Sequence, residues 1–176
     1  MPMPAAFVAP IDIDRTQDSL TRTLAERCLA AGVQITAAES CTGGGVASAI
    51  TAVAGSSAYF ETGYVTYANA AKTRLLGVRE TTLATYGAVS ERTVCEMVAG
   101  ACRDSGAALG VAISGVAGPG GGSADKPVGT VWIAWGDDQA QCAHCYRFDG
   151  DRAAVREQAV MVALAGLVDW LAATPW

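Results

Sequence analysis

Ser40 stands where an apolar stretch of strand length, Val33 to Ala38, runs into Glu39-Ser40-Cys41-Thr42-Gly43-Gly44-Gly45. Small residues suited to a helix follow, from about Val46 to Val53. Strand, glycine-rich turn and helix in that order make a corner that presents a nucleophile or receives an anion. Open α/β sheets hold their ligands at the carboxyl ends of the strands, and Ser40 sits at such an end. The amides of Cys41, Thr42 and Gly43 are expected among the unpaired donors of the helix start, facing a phosphate or a developing oxyanion. Gly43 to Gly45 allow the backbone to approach a ligand without a Cβ in the way. The plainer alternative is a helix cap, with Ser40 or Thr42 as the capping residue.

A hydroxyl needs a base. Lys72 is the only lysine among the first 125 residues, and it lies in the mostly small, apolar stretch Ala68-Asn69-Ala70-Ala71-Lys72. A desolvated ammonium has a lowered pKa and can serve as a base, whereas a solvated helix lysine cannot. Tyr67, at the preceding strand end, could orient the lysine or pass a proton. Ser114 ends a second apolar run, Leu109 to Ser114, and opens the glycine-rich loop Gly115 to Gly122. Lys126 closes that loop and is read as a solvated charge. Cys41 competes with Ser40 as nucleophile, but a thiol ordinarily works with a histidine, and the single histidine, His144, falls in a distant strand. A lysine base suits the hydroxyl.

The elements that must hold these residues follow from periodicity and turn chemistry. Asp18 or Ser19 is expected to cap a first helix that ends at Gly32. Phe60 to Asn69 reads as a strand and Ala70 to Leu76 as a helix. Ser90 caps a further helix with Thr93, Met97 and Ala101 inward. Val128 to Trp135 and Gln141 to Phe148 read as an antiparallel pair joined at Gly136-Asp137-Asp138. The last helix begins near Asp151, with Val160, Leu164, Leu167, Val168 and Leu171 at helical spacing. The pattern predicts a three-layer α/β/α sandwich around a mixed, roughly five-stranded sheet.

At 176 residues, 51% of them hydrophobic, the chain has the length and the core material of one domain. Residues 1–15 are expected to form a flexible tail and residues 16–176 the domain. A net charge of −5 without any basic run argues against a nucleic-acid partner. No apolar run reaches the ~18 residues of a membrane span, so a cytoplasmic location is expected. Cys142, His144 and Cys145 lack a second set of metal ligands, and strand alternation divides them between two faces, so no metal and no cofactor is expected. Nothing in the sequence decides the oligomeric state, and a homodimer is compatible with so apolar a chain.

Taken together the motifs carry a resemblance. Ala38-Glu39-Ser40-Cys41-Thr42-Gly43-Gly44, Val65-Thr66-Tyr67-Ala68-Asn69 with Lys72, Gly87-Ala88-Val89-Ser90, Ser114-Gly115-Val116-Ala117-Gly118-Pro119 and Lys126-Pro127-Val128-Gly129-Thr130-Val131 occur in that order. Over residues 20 to 172 the chain resembles the nicotinamide-nucleotide amidase family, also known as the CinA C-terminal domain. The resemblance implies hydrolysis of nicotinamide mononucleotide to nicotinate mononucleotide and ammonia without metal, a step of pyridine nucleotide salvage. By position it implies Ser40 as nucleophile, Lys72 as base, Tyr67 as an accessory residue and Ser114 in place of an assisting hydroxyl that is often threonine. Cys41, Thr42, Gly43, Gly44, Gly115 and Gly118 would then line the substrate. Some relatives carry an N-terminal domain linked to nucleotide pyrophosphatase chemistry, for which this chain has no room, and that activity is expected to be absent. The alternative from another class is a catalytically silent nucleotide-binding or competence-related interaction module.

Overall fold

The computed structural model describes Pro4, residues 7–10 and residues 14–176. Helix α1 (Gln17–Ala31) is capped by Thr16, whose hydroxyl accepts from the amide of Ser19. The cap thus precedes the expected Asp18 or Ser19, and Asp18 instead pairs with Arg22 one turn on. The helix ends at Gly32 in the left-handed conformation, as expected. Strand β1 (Ile35–Glu39) follows, and every residue in it is buried. Its unbroken apolar character has a cause: parallel partners flank it on both sides, β2 (Phe60–Val65) and β3 (Leu109–Gly115). Strands β4 (Thr130–Gly136) and β5 (Gln141–Arg147) continue the sheet in antiparallel sense, giving the order β2-β1-β3-β4-β5.

Successive strand residues divide between two cores, as a pleated sheet requires. Ala37, Val111 and Ile133 face the layer formed by α1, α2 (Gly45–Thr51) and α6 (Arg152–Ala173). Ala38, Ala112 and Ala134 face the layer of α3 (Asn69–Leu76), α4 (Glu80–Tyr86) and α5 (Glu91–Ser105). The result is the three-layer α/β/α sandwich with a mixed five-stranded sheet. Along β5, Cys142 packs on the first core and the His144 ring lies 4.7 Å from Tyr146 on the same face, while Cys145 falls on the other. No helix among the described residues is long and apolar enough to cross a membrane.

Some boundaries differ from the expectation. β2 stops at Val65, short of Asn69, where its partner β1 also ends at Glu39; the Thr66 amide still donates to the Glu39 carbonyl at 2.9 Å. β4 begins at Thr130 and not at Val128, because Gly129 adopts φ 92 against the Phe148 carbonyl. Helix α4 was not expected: its start carries no side-chain cap and its first turn two threonines. Part of the stretch expected as a tail packs on the core. Phe7 lies 4.7 Å from Trp170 and 5.7 Å from Trp135, ring to ring. Tyr146 donates its hydroxyl to the Pro10 carbonyl at 2.7 Å. Residues 1–3, 5, 6 and 11–13 of that stretch lie outside the described residues.

Helix α3 is seated against α5 at one glycine. A Cβ on Gly100 would stand 1.9 Å from the carbonyl oxygen of Leu76, the last residue of α3. Gly100→Ala is therefore expected to lower the unfolding free energy by about 1–3 kcal/mol in denaturant titration, the usual cost of overpacking. Unchanged stability would show that α3 is free to move off α5.

Candidate active site

Ser40 follows β1 directly and is held between the ends of two strands, its amide donating to the Ile113 carbonyl at 3.0 Å. Lys72 reaches it from α3 in the opposite layer and is 1% exposed. Its Nζ lies 3.1 Å from Ser40 Oγ, 2.9 Å from the Thr66 carbonyl and 3.3 Å from the Tyr67 carbonyl. No carboxylate pairs with it among the described residues. Burial pushes the lysine pKa below its ordinary value, and the nearby Cys41 sulfur acts weakly in the opposite sense. A neutral amine has two N–H groups and one lone pair. The two carbonyls can take both N–H groups, which leaves the lone pair for the Ser40 hydroxyl.

The turn after Ser40 is gripped from two sides. Arg156, from α6, donates through Nε to the Cys41 carbonyl at 3.1 Å and through Nη2 to the Thr42 carbonyl at 3.2 Å. In a trans peptide the N–H points away from the C=O, so the Thr42 amide faces away from Arg156. The Glu39 carboxylate takes the amides of Gly44, Val46 and Ala47, and the Gly43 amide bonds the Ser40 carbonyl. Gly43 and Gly44 are therefore not open donors, contrary to expectation. Among the described residues, the amides of Cys41 and Thr42 carry no bond to another residue. Neither Ser40 nor Thr42 caps α2; its cap position is Gly44, which has no side chain.

A cavity of about 230 Å³ opens on this corner, lined by Ser40, Cys41, Lys72, Ser114, Gly115 and Tyr67 among others. A second, of about 520 Å³, adjoins it past Ala117 and includes Gly118, Val128 and the start of α6. Ser114 is 1% exposed and lines the first cavity. Of the two roles expected for Tyr67, orienting the lysine and passing a proton, its contacts match the first, through the backbone and not the side chain. Its backbone carbonyl orients Lys72, while its hydroxyl, on a side chain 60% exposed, accepts from Arg152 Nη2 at 2.9 Å. Thr42 is buried and lies behind the turn, outside the lining of either cavity. Lys126 is not solvated freely: its Nζ donates to the Tyr86 carbonyl at 2.6 Å, tying the glycine-rich loop to the end of α4.

Arg152, Arg156, Asn69 and the Glu39 side chain have no role in the sequence reading. Arg152 lines both cavities and donates to the Gly118 carbonyl at 2.9 Å. Arg152 and Arg156 are one turn apart behind a capping Asp151, a spacing that places two guanidinium groups on one helix face. Glu39, the single ionisable residue between Gly32 and Ser40, was a second legible signal, since a carboxylate at the end of an apolar strand requires partners.

The profile of the CinA C-terminal domain family matches residues 17–171. The chain belongs to this family. Among curated relatives, the nicotinamide-nucleotide amidohydrolase PncC of Pseudomonas putida is 57% identical over 150 residues, spanning 85% of this chain and 94% of the relative. The protein of the same name from Escherichia coli K12 is 51% identical over 154 residues, spanning 84% and 90%. A crystal structure of a CinA superfamily protein from Klebsiella pneumoniae matches with a TM-score of 0.86 at 44% identity, over 90% of this chain and 99% of that one. One from Escherichia coli matches at 0.87 and 37%, over 92% and 95%.

Within this CinA C-terminal domain the thiol of Cys41 is disabled by its surroundings. It is 6% exposed, and burial pushes its pKa up to about 11, so it holds its proton at neutral pH. Cys41→Ala is expected to keep turnover within about tenfold, or ~1.4 kcal/mol of barrier. A thousandfold loss in a folded protein would transfer the nucleophile from Ser40 to Cys41.

Proposed function

We propose that this chain hydrolyses the carboxamide of nicotinamide mononucleotide to nicotinate mononucleotide and ammonia, with Ser40 as nucleophile and Lys72 as general base. The observation that carries the reading is the 3.1 Å contact between Lys72 Nζ and Ser40 Oγ in a buried pocket where two carbonyls occupy the amine's N–H groups. The names of the PncC relatives supply the substrate.

An amide is a poor electrophile with a poor leaving group, so attack, oxyanion stabilisation and proton return all need a partner. Neutral Lys72 takes the Ser40 proton as Oγ adds to the carboxamide carbon. The amide of Cys41, which lines the cavity beside Ser40, is the donor for the oxyanion. Protonated Lys72 returns the proton to the departing nitrogen, with the Ser114 hydroxyl in the same cavity to align it, and ammonia leaves. Water then enters and gives a proton to Lys72 as its oxygen adds to the acyl carbon. Lys72 returns that proton to Ser40 Oγ as the bond to the acyl carbon breaks and the carboxylic acid leaves. The cationic pyridinium ring makes the carbonyl more electrophilic and adds to the forces that keep Lys72 neutral. The larger adjoining cavity, with Arg152 lining both, accommodates the ribose phosphate side of the nucleotide. The reaction belongs in pyridine nucleotide salvage, and a cytoplasmic location suits it. A silent binding module would have no use for a desolvated lysine aimed at a serine.

The test is ammonia release from nicotinamide mononucleotide by the purified protein, followed against pH. Because burial lowers the Lys72 pKa, the base form accumulates as pH rises, and turnover should climb through an ionisation below the ~10.4 of free lysine. Lys72→Met should still bind the nucleotide but lose about 10²–10⁴ in turnover, the usual contribution of a positioned base. Lys72→Arg should fail as well, since guanidinium keeps its proton. Near wild-type turnover by Lys72→Arg would reduce Lys72 to a positive charge and refute the mechanism.

A further inference from the structure

Glu39 is 1% exposed, and its carboxylate has no cationic partner among the described residues. It accepts instead from three backbone amides: Gly44 at 3.1 Å and Val46 at 3.0 Å on Oε2, and Ala47 at 2.9 Å on Oε1. Two of these are the amides that a capping side chain ordinarily satisfies at a helix start. Here the cap position is Gly44, at φ 99 and with no side chain to offer. The acceptor comes from outside the helix, from the residue that precedes the nucleophile.

That origin closes a loop around Ser40. On its entry side, the Ser40 amide is bonded to Ile113 and the Glu39 carbonyl accepts from Thr66. On its exit side, the Glu39 side chain returns to residues 44, 46 and 47. The turn 40–43 is thereby fixed at both ends by one residue, and the unbonded amides of Cys41 and Thr42 lie inside the closed segment. The same three bonds fill the start of α2, so the substrate's phosphate is directed elsewhere.

We propose that Glu39 is a positioning residue for the hydrolysis, one that sets the Ser40 hydroxyl and the Cys41 amide in register by holding α2 to the turn that follows Ser40. The inference rests on the Ser40–Lys72 reading above. It does not make Glu39 a proton carrier, because all three contacts of its carboxylate are backbone amides.

Glu39→Gln is the sharpest probe. Its side-chain nitrogen must confront a backbone N–H in either orientation, so at least one of the three bonds is lost and replaced by a donor–donor contact. Wild-type ammonia release from nicotinamide mononucleotide is measured first; its absence refutes the proposed activity and leaves Glu39 out of the question. With the wild type active, Glu39→Gln is expected to lose about 10²-fold in kcat, the scale of a small misplacement of reacting groups, with KM within about threefold. The pH at which turnover rises should not move, since Lys72 keeps its surroundings. Turnover per folded molecule equal to wild type would make Glu39 a brace of the fold only. A displaced pH profile with kcat recovered on its new plateau would show that Glu39 acts on the Lys72 charge, which also overturns the proposal. If Glu39→Gln does not fold, Glu39→Asp keeps the charge one methylene short; it should show a smaller kcat loss at unchanged KM, and wild-type kcat would again refute the positioning role.

Discussion

A lysine in water holds its proton to about pH 10.4, and a lysine ammonium is useless as a base. The arrangement around Lys72 depends on removing that preference. The side chain is 1% exposed and has no carboxylate partner among the described residues, so the charged form loses its hydration without gaining an ion pair. Carbonyls of Thr66 and Tyr67 then satisfy an uncharged amine as well as a charged one. A single carboxylate in this pocket would reverse the balance and restore the ammonium. The buried acid closest in sequence to Ser40, Glu39, is instead occupied by three backbone amides.

The fold supplies this pocket because the site lies where three layers end together. The sheet contributes Ser40 and Ser114 from the carboxyl ends of neighbouring parallel strands, in register through Glu39 and Ile113. One helical layer delivers Lys72 from α3, and the other delivers Arg152 and Arg156 from α6. The nucleophile turn is therefore clamped between a cation on its carbonyls and a carboxylate on its following amides. Among the described residues, that arrangement leaves the Cys41 amide, on the cavity wall beside Ser40, without a bond to another residue.

Much of this was legible in the residues. The continuous apolar run of β1, the glycine after α1, Ser90 and Asp151 as helix caps and the Gly136 turn each carry a local physical signal, and each is found in the structure. For Ser40 and Lys72 the local signal was weak, a hydroxyl at a strand end and an isolated lysine that could equally have been solvated, and the structure brings the two side chains within 3.1 Å. What the sequence could not express was direction. Nothing local says that Tyr67 gives Lys72 its carbonyl and turns its hydroxyl to Arg152, nor that Gly43 and Gly44 spend their amides internally. The Gly43 amide is spent in a local turn on the Ser40 carbonyl, but the other outcomes are set by a contact across 85 residues or by a carboxylate five positions away, beyond the reach of propensity or spacing. Phe7 was hidden in the same way, since its place beside Trp135 and Trp170 is a tertiary contact in a stretch without periodicity.

The composition makes the central claim open to direct measurement. The chain contains two lysines, Lys72 and Lys126, so selective isotopic labelling of lysine gives two side-chain resonances, and Lys72→Met assigns them. The titration of the ¹³Cε and ¹⁵Nζ shifts with pH reads the protonation of each amine in the folded protein. The account predicts that the Lys72 resonance changes below the ~10.4 of free lysine. A Lys72 amine that titrates at or above the ~10.4 of free lysine would contradict the account, because burial would then have done nothing to make it a base for Ser40.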